Sequence, residues 1–219
     1  IDVVLFCSKN YAPILPRLRE ITDRYRTYFH YTITAYGKDI EPGVPSIDDS
    51  IKTLIELEKI VGKNRISWRY DPVLLTKDYT VGRHLETFAC MAERLAPHID
   101  RCIFSFVEMY KKLETNMPEL IPLSAADKEN LAEGLGRIAA KYGIWLQTCG
   151  TNGDFTRCGI HPSGCATLEI LGKANGCEFR EIRHKGLREG CRCIESRDIG
   201  AYDTCLNGCK YCYANKSPQ

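Results

Sequence analysis

"RISWRYD", residues 65–71, alternates apolar and polar side chains between two stretches of helical spacing. In an extended chain Ile66, Trp68 and Tyr70 fall on one face, and Ser67, Arg69 and Asp71 on the other. One face reads as core and the other as a row of polar groups. Upstream, "SIDDSIKTLIELEKIVG" (46–62) has Ser46 as its N-cap, with Asp48 and Asp49 in the first turn. Ile47, Ile51, Leu54, Ile55 and Leu57 make its apolar stripe, and Gly62 is the stop. Downstream, "RHLETFACMAERLAP" (83–97) reads as the next helix. The strand is one beat of an alternation.

The same alternation runs through the first two thirds of the chain. "DVVLFC" (2–7), "YFHYTITAY" (28–36), "RCIFSFVE" (101–108) and "IWLQTC" (144–149) read as further strands. "APILPRLREITDRY" carries Ile14, Leu18 and Ile21 at helical spacing, and "SAADKENLAEGLGRIAAKYG" (124–143) is a helix from Ser124 to Gly143. Five strands with four intervening helices predict an α/β fold of parallel (β/α) repeats, forming a partial or full TIM-like barrel. A chain that opens directly on a strand suggests sequence upstream of Ile1.

Parallel folds of this kind collect functional groups at the C-terminal strand ends. Those ends carry Lys9, Thr34, Tyr36, Arg69, Asp71, Glu108, Gln147 and Cys149. Lys9, Arg69, Asp71 and Glu108 are the catalytic candidates, and a purely structural Arg69–Asp71 ion pair is the plainer alternative for that pair.

The 219 residues allow a sizeable core, and a formal net charge of +2 selects no partner. Residues 178–197 mix six Lys/Arg with four Glu, a solvated segment and not a nucleic-acid patch. No apolar run approaches the ~18 residues of a membrane helix. Cysteine is the outlier: there are twelve, and nine fall in the last 71 residues. A chain with this much core has no need of a disulfide framework, so a metal or cluster site in a reducing cytoplasm is expected. The chain divides accordingly into a (β/α)-repeat portion, 1–149, and a glycine-rich cysteine segment, 150–219, whose one helix candidate is "HPSGCATLEILG" (161–172).

"CLNGCKYC" places Cys205, Cys209 and Cys212 in C-x3-C-x2-C spacing, with Asn207 and Gly208 suited to a tight turn. Three thiolates are one short of a closed zinc site or a fully ligated cubane, so one metal position stays open. Cys149, Cys165, Cys191 and Cys193 form a second group that would hold an auxiliary 4Fe–4S cluster or a zinc ion. Cys158, Cys177 and His161 are spare ligands for it, and spacing this long does not fix the set. Cys7, Cys90, Cys102 and Cys177 read as small buried apolar residues, and His30, His84, His98 and His184 as ordinary histidines.

The terminal stretch resembles the cluster motif of the radical S-adenosylmethionine (radical SAM) superfamily, with Tyr211 at its aromatic position. That resemblance implies a 4Fe–4S cluster on Cys205, Cys209 and Cys212, and SAM chelating the fourth iron with Tyr211 against its adenine. It further implies reductive cleavage of SAM to a 5′-deoxyadenosyl radical, with electrons from a reductant such as ferredoxin or flavodoxin. In most members the motif follows the first strand, and a Gly-Gly-Glu segment receives the amino group of SAM. Here the motif comes last and no such segment occurs, so a circular permutation is expected, with "DIGAYDT" (198–204) as the lead-in strand. "VLFCSKN", "YTITAYGKDIEPGVPS", "ISWRYDP" and "CRCIESRDIGAYDTCLNGCKYCYAN" resemble an uncharacterised bacterial and archaeal family, a domain of unknown function with a radical-SAM-like cysteine cluster at its C-terminus. Two other readings stand beside the enzyme: a structural Zn(Cys)4 protein with Cys193 joining the terminal three, and an iron–sulfur electron carrier that does not bind SAM.

Overall fold

In the computed structural model, which describes residues 2–151, 153–180 and 191–215, the alternation builds one six-stranded parallel sheet. Its strands are β1 (Val4–Ser8), β2 (Thr27–Thr32), β3 (Ile66–Val73), β4 (Arg101–Phe106), β5 (Trp145–Thr148) and β6 (His161–Pro162), side by side in chain order. The helices are α1 (Arg19–Thr22), α2 (Ile47–Val61), α3 (Val81–Leu95), α4 (Lys111–Asn116), α5 (Ala125–Lys141) and α6 (Leu168–Asn175). Ser46 and Thr80 cap α2 and α3, each accepting from the backbone N–H three residues on, and Ser124 and Asp127 form a reciprocal capping box on α5. Pro16 lies within a 3-10 turn (Leu15–Arg17), so the helix expected over 12–25 is cut down to that turn and the four residues of α1.

Strands in sequential order, each reached by a crossover of the same hand, put their connecting helices on one face. The core shows this. Phe29, Tyr31, Ile66, Trp68, Tyr70, Cys102, Phe104 and Leu146 pack against Leu54 and Leu57 of α2, Phe88 and Leu95 of α3, and Leu131 and Leu135 of α5. Trp68 stacks on Phe88 at 4.7 Å between ring centroids, and its indole N–H donates to the Ile33 carbonyl at 2.9 Å. The expected division of β3 therefore holds, with Ile66, Trp68 and Tyr70 facing the helices. The opposite, inner face carries Tyr28, Ser67, Arg69, Arg101, Ser105 and Gln147, and α6 with Ile194 lies across part of it.

The sheet does not close. Among the described residues β1 and β6 are edges, so a full TIM barrel is corrected to an open parallel sheet. "DIGAYDT" (198–204) is no strand either; its backbone is instead tied back to the terminal loop, Asp203 N–H donating to the Ala214 carbonyl at 3.0 Å. The sixth strand comes from the start of the expected 161–172 helix, and α6 begins only at Leu168, where Thr167 caps it. Among the described residues no helix is long and apolar enough to cross a membrane.

Candidate metal centre

The terminal loop docks over the C-terminal ends of β1 and β2. Residues 33–46, which link β2 to α2, form a connection far longer than the about 2–6 residues usual in such units. The loop adds backbone bonds to this connection: Gly43 N–H donates to the Asn207 carbonyl at 2.8 Å, and Lys210 N–H to the Ile40 carbonyl at 3.0 Å. Gly43 is required there, because a Cβ would stand 2.5 Å from the Leu206 carbonyl oxygen. From the other side three donors reach three successive carbonyls: Asn116 to Lys210 at 3.2 Å, Tyr110 to Tyr211, and Lys112 to Cys212 at 2.9 Å. Within the loop Cys212 N–H donates to the Cys209 carbonyl at 3.0 Å, and Gly208 takes the left-handed conformation (φ 62°) of the turn.

Under the loop lies a compact polar group. Lys9 Nζ donates to Glu41 at 2.9 Å and to Thr34 at 3.2 Å, Thr34 donates to Glu41 at 2.6 Å, and the Tyr211 hydroxyl also donates to Glu41. The Tyr211 ring packs against Tyr36, with Lys9 Nζ 5.7 Å from its centroid. Tyr36 is itself fixed, donating to the Pro72 carbonyl and accepting from Leu74 N–H, both at 2.8 Å. Cys205 is exposed, and Cys209 and Cys212 are half-buried. Burial and then Glu41 hold the Cys209 thiol up at about 12, with Cys212 and Cys205 adding to the rise and Lys9 opposing it. Cys212 and Cys205 thus act electrostatically on Cys209 across one small loop.

The second group is assembled from distant positions. Cys149 follows β5 directly, Cys165 lies in the turn before α6, and Cys193 is on the segment after residue 190. Their sulfurs converge, Cys149 to Cys165 at 3.4 Å and Cys165 to Cys193 at 3.2 Å. Contact with Cys165 and Cys193 draws the Cys149 thiol down, whereas contact with Cys149 and Cys193, together with burial, pushes Cys165 up. Cys191 takes no part in these contacts, and Cys158 packs against the helix-side core. His161 stacks on Trp145 with centroids 3.5 Å apart, and Cys177 sits beside α6, its N–H donating to the Gly172 carbonyl at 3.1 Å.

Arg69 and Asp71 lie beside the second group. Arg69 is ion-paired to Asp71, which also accepts from the Ser105 hydroxyl. Burial works against the Arg69 charge, but Asp71 and then Cys7, Cys165 and Cys149 outweigh it and hold the guanidinium firmly protonated. Tyr213, adjacent to Cys212, is within electrostatic reach of both Arg69 and Cys7. Deeper on the inner face, both ring nitrogens of His30, Arg69 Nε, Arg101 Nη1 and Gln147 Oε1 are buried with no hydrogen-bond partner among the described residues. Buried polar atoms are seldom left so. Burial, then Arg69 and Arg101, press the His30 pKa well down, so its imidazole is neutral.

Lys9, Arg69, Asp71, Thr34 and Cys149 are thus brought to the strand ends, while Glu108 is exposed just past β4. Sequence reasoning missed Glu41, Ser105 and the donors of α4. It also misjudged Cys7 and Cys90: Cys7 is exposed at the end of β1, near Arg69, and Cys90 is exposed on α3, so neither is buried in apolar surroundings. His184 lies outside the described residues. His84 is an ordinary core histidine, bonded to Tyr70 OH at 2.6 Å and the Leu74 carbonyl at 2.8 Å.

An open parallel α/β sheet with two cysteine groups near its C-terminal strand ends defines an α/β protein. The chain belongs to the DUF1848 family, a domain of unknown function, which it matches over residues 1–214. No curated protein and no solved structure matches it.

Proposed function

We propose that this chain is a radical SAM-type iron–sulfur enzyme, with a 4Fe–4S cluster on Cys205, Cys209 and Cys212 and the open sheet serving as a partial (β/α) barrel. The observation that carries this reading is the docking of the three-thiol loop over the C-terminal strand ends, where parallel folds concentrate chemistry. A surface zinc knot would need no such seat. With SAM on its open corner, the cluster would supply the electron that cleaves the sulfonium carbon–sulfur bond.

The chain's own residues orient and enclose. Tyr110, Lys112 and Asn116 hold three successive loop carbonyls and so fix the loop that carries the thiols. Lys9 neutralises Glu41, which anchors Tyr211 at the base of the loop. Beyond it, Arg69, Asp71, Ser105 and neutral His30 offer donors and acceptors along the inner face for a polar substrate. Alpha-6 and Ile194 shield that face from water. The partners implied are SAM, a polar substrate, and a reductant such as ferredoxin or flavodoxin.

The test is anaerobic purification with iron and sulfide. The protein should turn brown through thiolate-to-iron charge transfer, SAM should alter the EPR signal of the reduced cluster, and 5′-deoxyadenosine should be released slowly. A brown protein indifferent to SAM would be an electron carrier. A colourless protein holding zinc at the terminal loop would overturn the reading altogether.

A further inference from the structure

The structure assigns a second, separate metal site to Cys149, Cys165 and Cys193: a single soft divalent ion of the zinc type, with a fourth position open to water or a substrate heteroatom. Three sulfurs from chain positions 149, 165 and 193 meet within 3.4 and 3.2 Å, and Cys149 and Cys193 are buried, 8% and 7% exposed. Contacts other than those between the thiols themselves bring them together. Ile194 N–H donates to the Ala166 carbonyl at 2.9 Å, and Gln147 Nε2 donates to the Gly164 carbonyl at 3.0 Å. Gly164 has to be glycine for the 191–194 segment to lie so close, since a Cβ would stand 2.5 Å from the Arg192 carbonyl oxygen.

Spacing selects the kind of metal. Thiolates sharing one zinc ion at about 2.3 Å stand roughly 3.8 Å apart in a tetrahedron. Thiolates of a cubane each bind a different iron and stand much farther apart. The observed separations lie just inside the single-ion value. The trio is contracted: among the described residues no group of three His, Cys, Asp or Glu is spread as a ready-made metal site. A few tenths of an ångström of outward side-chain rotation would admit the ion. Three thiolates and a divalent ion leave one net negative charge; nearby Arg69 is already ion-paired to Asp71, but its Nε is buried and has no hydrogen-bond partner among the described residues. Cys191, outside the trio, is not a ligand.

The decisive experiment removes the terminal thiols, so that its outcome is independent of the iron–sulfur reading. The full chain with Cys205, Cys209 and Cys212 all replaced by serine is purified anaerobically and its metals counted. About one zinc per chain should remain, and Co2+ in its place should give the visible bands of a tetrahedral thiolate site. Adding Cys165→Ser should reduce zinc to background, whereas adding Cys191→Ser should leave it unchanged. In the wild-type protein, a chelator should open Cys149, Cys165 and Cys193 together to alkylation, a readout that needs no substitution in the trio. Absence of zinc from a folded triple-serine chain, retention of iron with sulfide, or loss of zinc in Cys191→Ser would each overturn the assignment.

Discussion

Cys205, Cys209 and Cys212 come from one eight-residue loop, whereas Cys149, Cys165 and Cys193 are drawn from positions up to 44 residues apart. The loop group has its shape written locally: a turn at Gly208 and a short spacing keep the three thiols near one another along the chain. What tertiary structure adds is the seat, through Gly43, Glu41 and the three donors in and beside α4. The distant group has no local shape at all. It exists only once β5, the turn before α6 and the 191–194 segment have docked. A local motif can be recognised from sequence and carried intact to many scaffolds; an assembled one reports on this fold alone.

The largest effect that would sharpen this contrast is Cys209→Ala. It should reduce bound iron and sulfide at least tenfold while leaving zinc at the distant trio unchanged, both read by metal analysis of anaerobic protein. Equal loss of both metals would show that the two groups form one site.

The next pair of variants attacks the seats and leaves the ligands alone. Gly43→Ala places a methyl 2.5 Å from the Leu206 carbonyl oxygen, and Gly164→Ala places one 2.5 Å from that of Arg192. Each should cost about 1–3 kcal/mol, the usual range for overpacking against backbone that cannot easily move. Thermal unfolding would give the cost. Metal analysis should show that Gly43→Ala loses iron and keeps zinc, with the reverse for Gly164→Ala.

Acid should loosen the platform beneath the loop. His84 packs on Tyr36, which in turn contacts Tyr211. Burial lowers its pKa from 6.5 to about 4, partly opposed by the Leu74 carbonyl and reinforced by Arg83. The folded state therefore refuses a proton that the unfolded chain takes up below 6.5, and stability present at neutral pH is lost as pH falls toward 4. At pH 5 this amounts to about 2 kcal/mol. Urea unfolding at pH 7 and pH 5 would show it as a wild-type loss that His84→Gln lacks; an identical pH dependence in the two proteins would remove His84 from the platform.

Much of this was legible in advance, and the gaps have physical causes. The period-2 alternation in Ile66–Asp71 and the capped stripe of α2 are local signals, so the strands, their helix-facing sides and the Arg69–Asp71 pair could be read directly. Closure of the sheet could not, because it depends on which edges find a partner. Alpha-4 was missed since Lys111–Asn116 has only Leu113 to bury; its contacts with the terminal loop accompany it and no periodicity announces it. Glu41 left no trace beyond the length of its loop. Of the four cysteines grouped beforehand, three converge, and Cys191 could not be separated from Cys193 by spacing alone.

The smallest expected effect tests whether such separations have meaning. Cys90 is exposed on α3, away from both cysteine groups. Cys90→Ala should leave stability within about 0.5 kcal/mol and both metals at wild-type stoichiometry. The same substitution therefore controls for scavenging, because twelve thiols offer metal many incidental perches. If removing this one thiol lowers zinc or iron in proportion, the metal is spread over exposed sulfur and neither group at the strand ends is a site. If it does not, losses caused by Cys209→Ala or Cys165→Ser belong to the geometry around those residues.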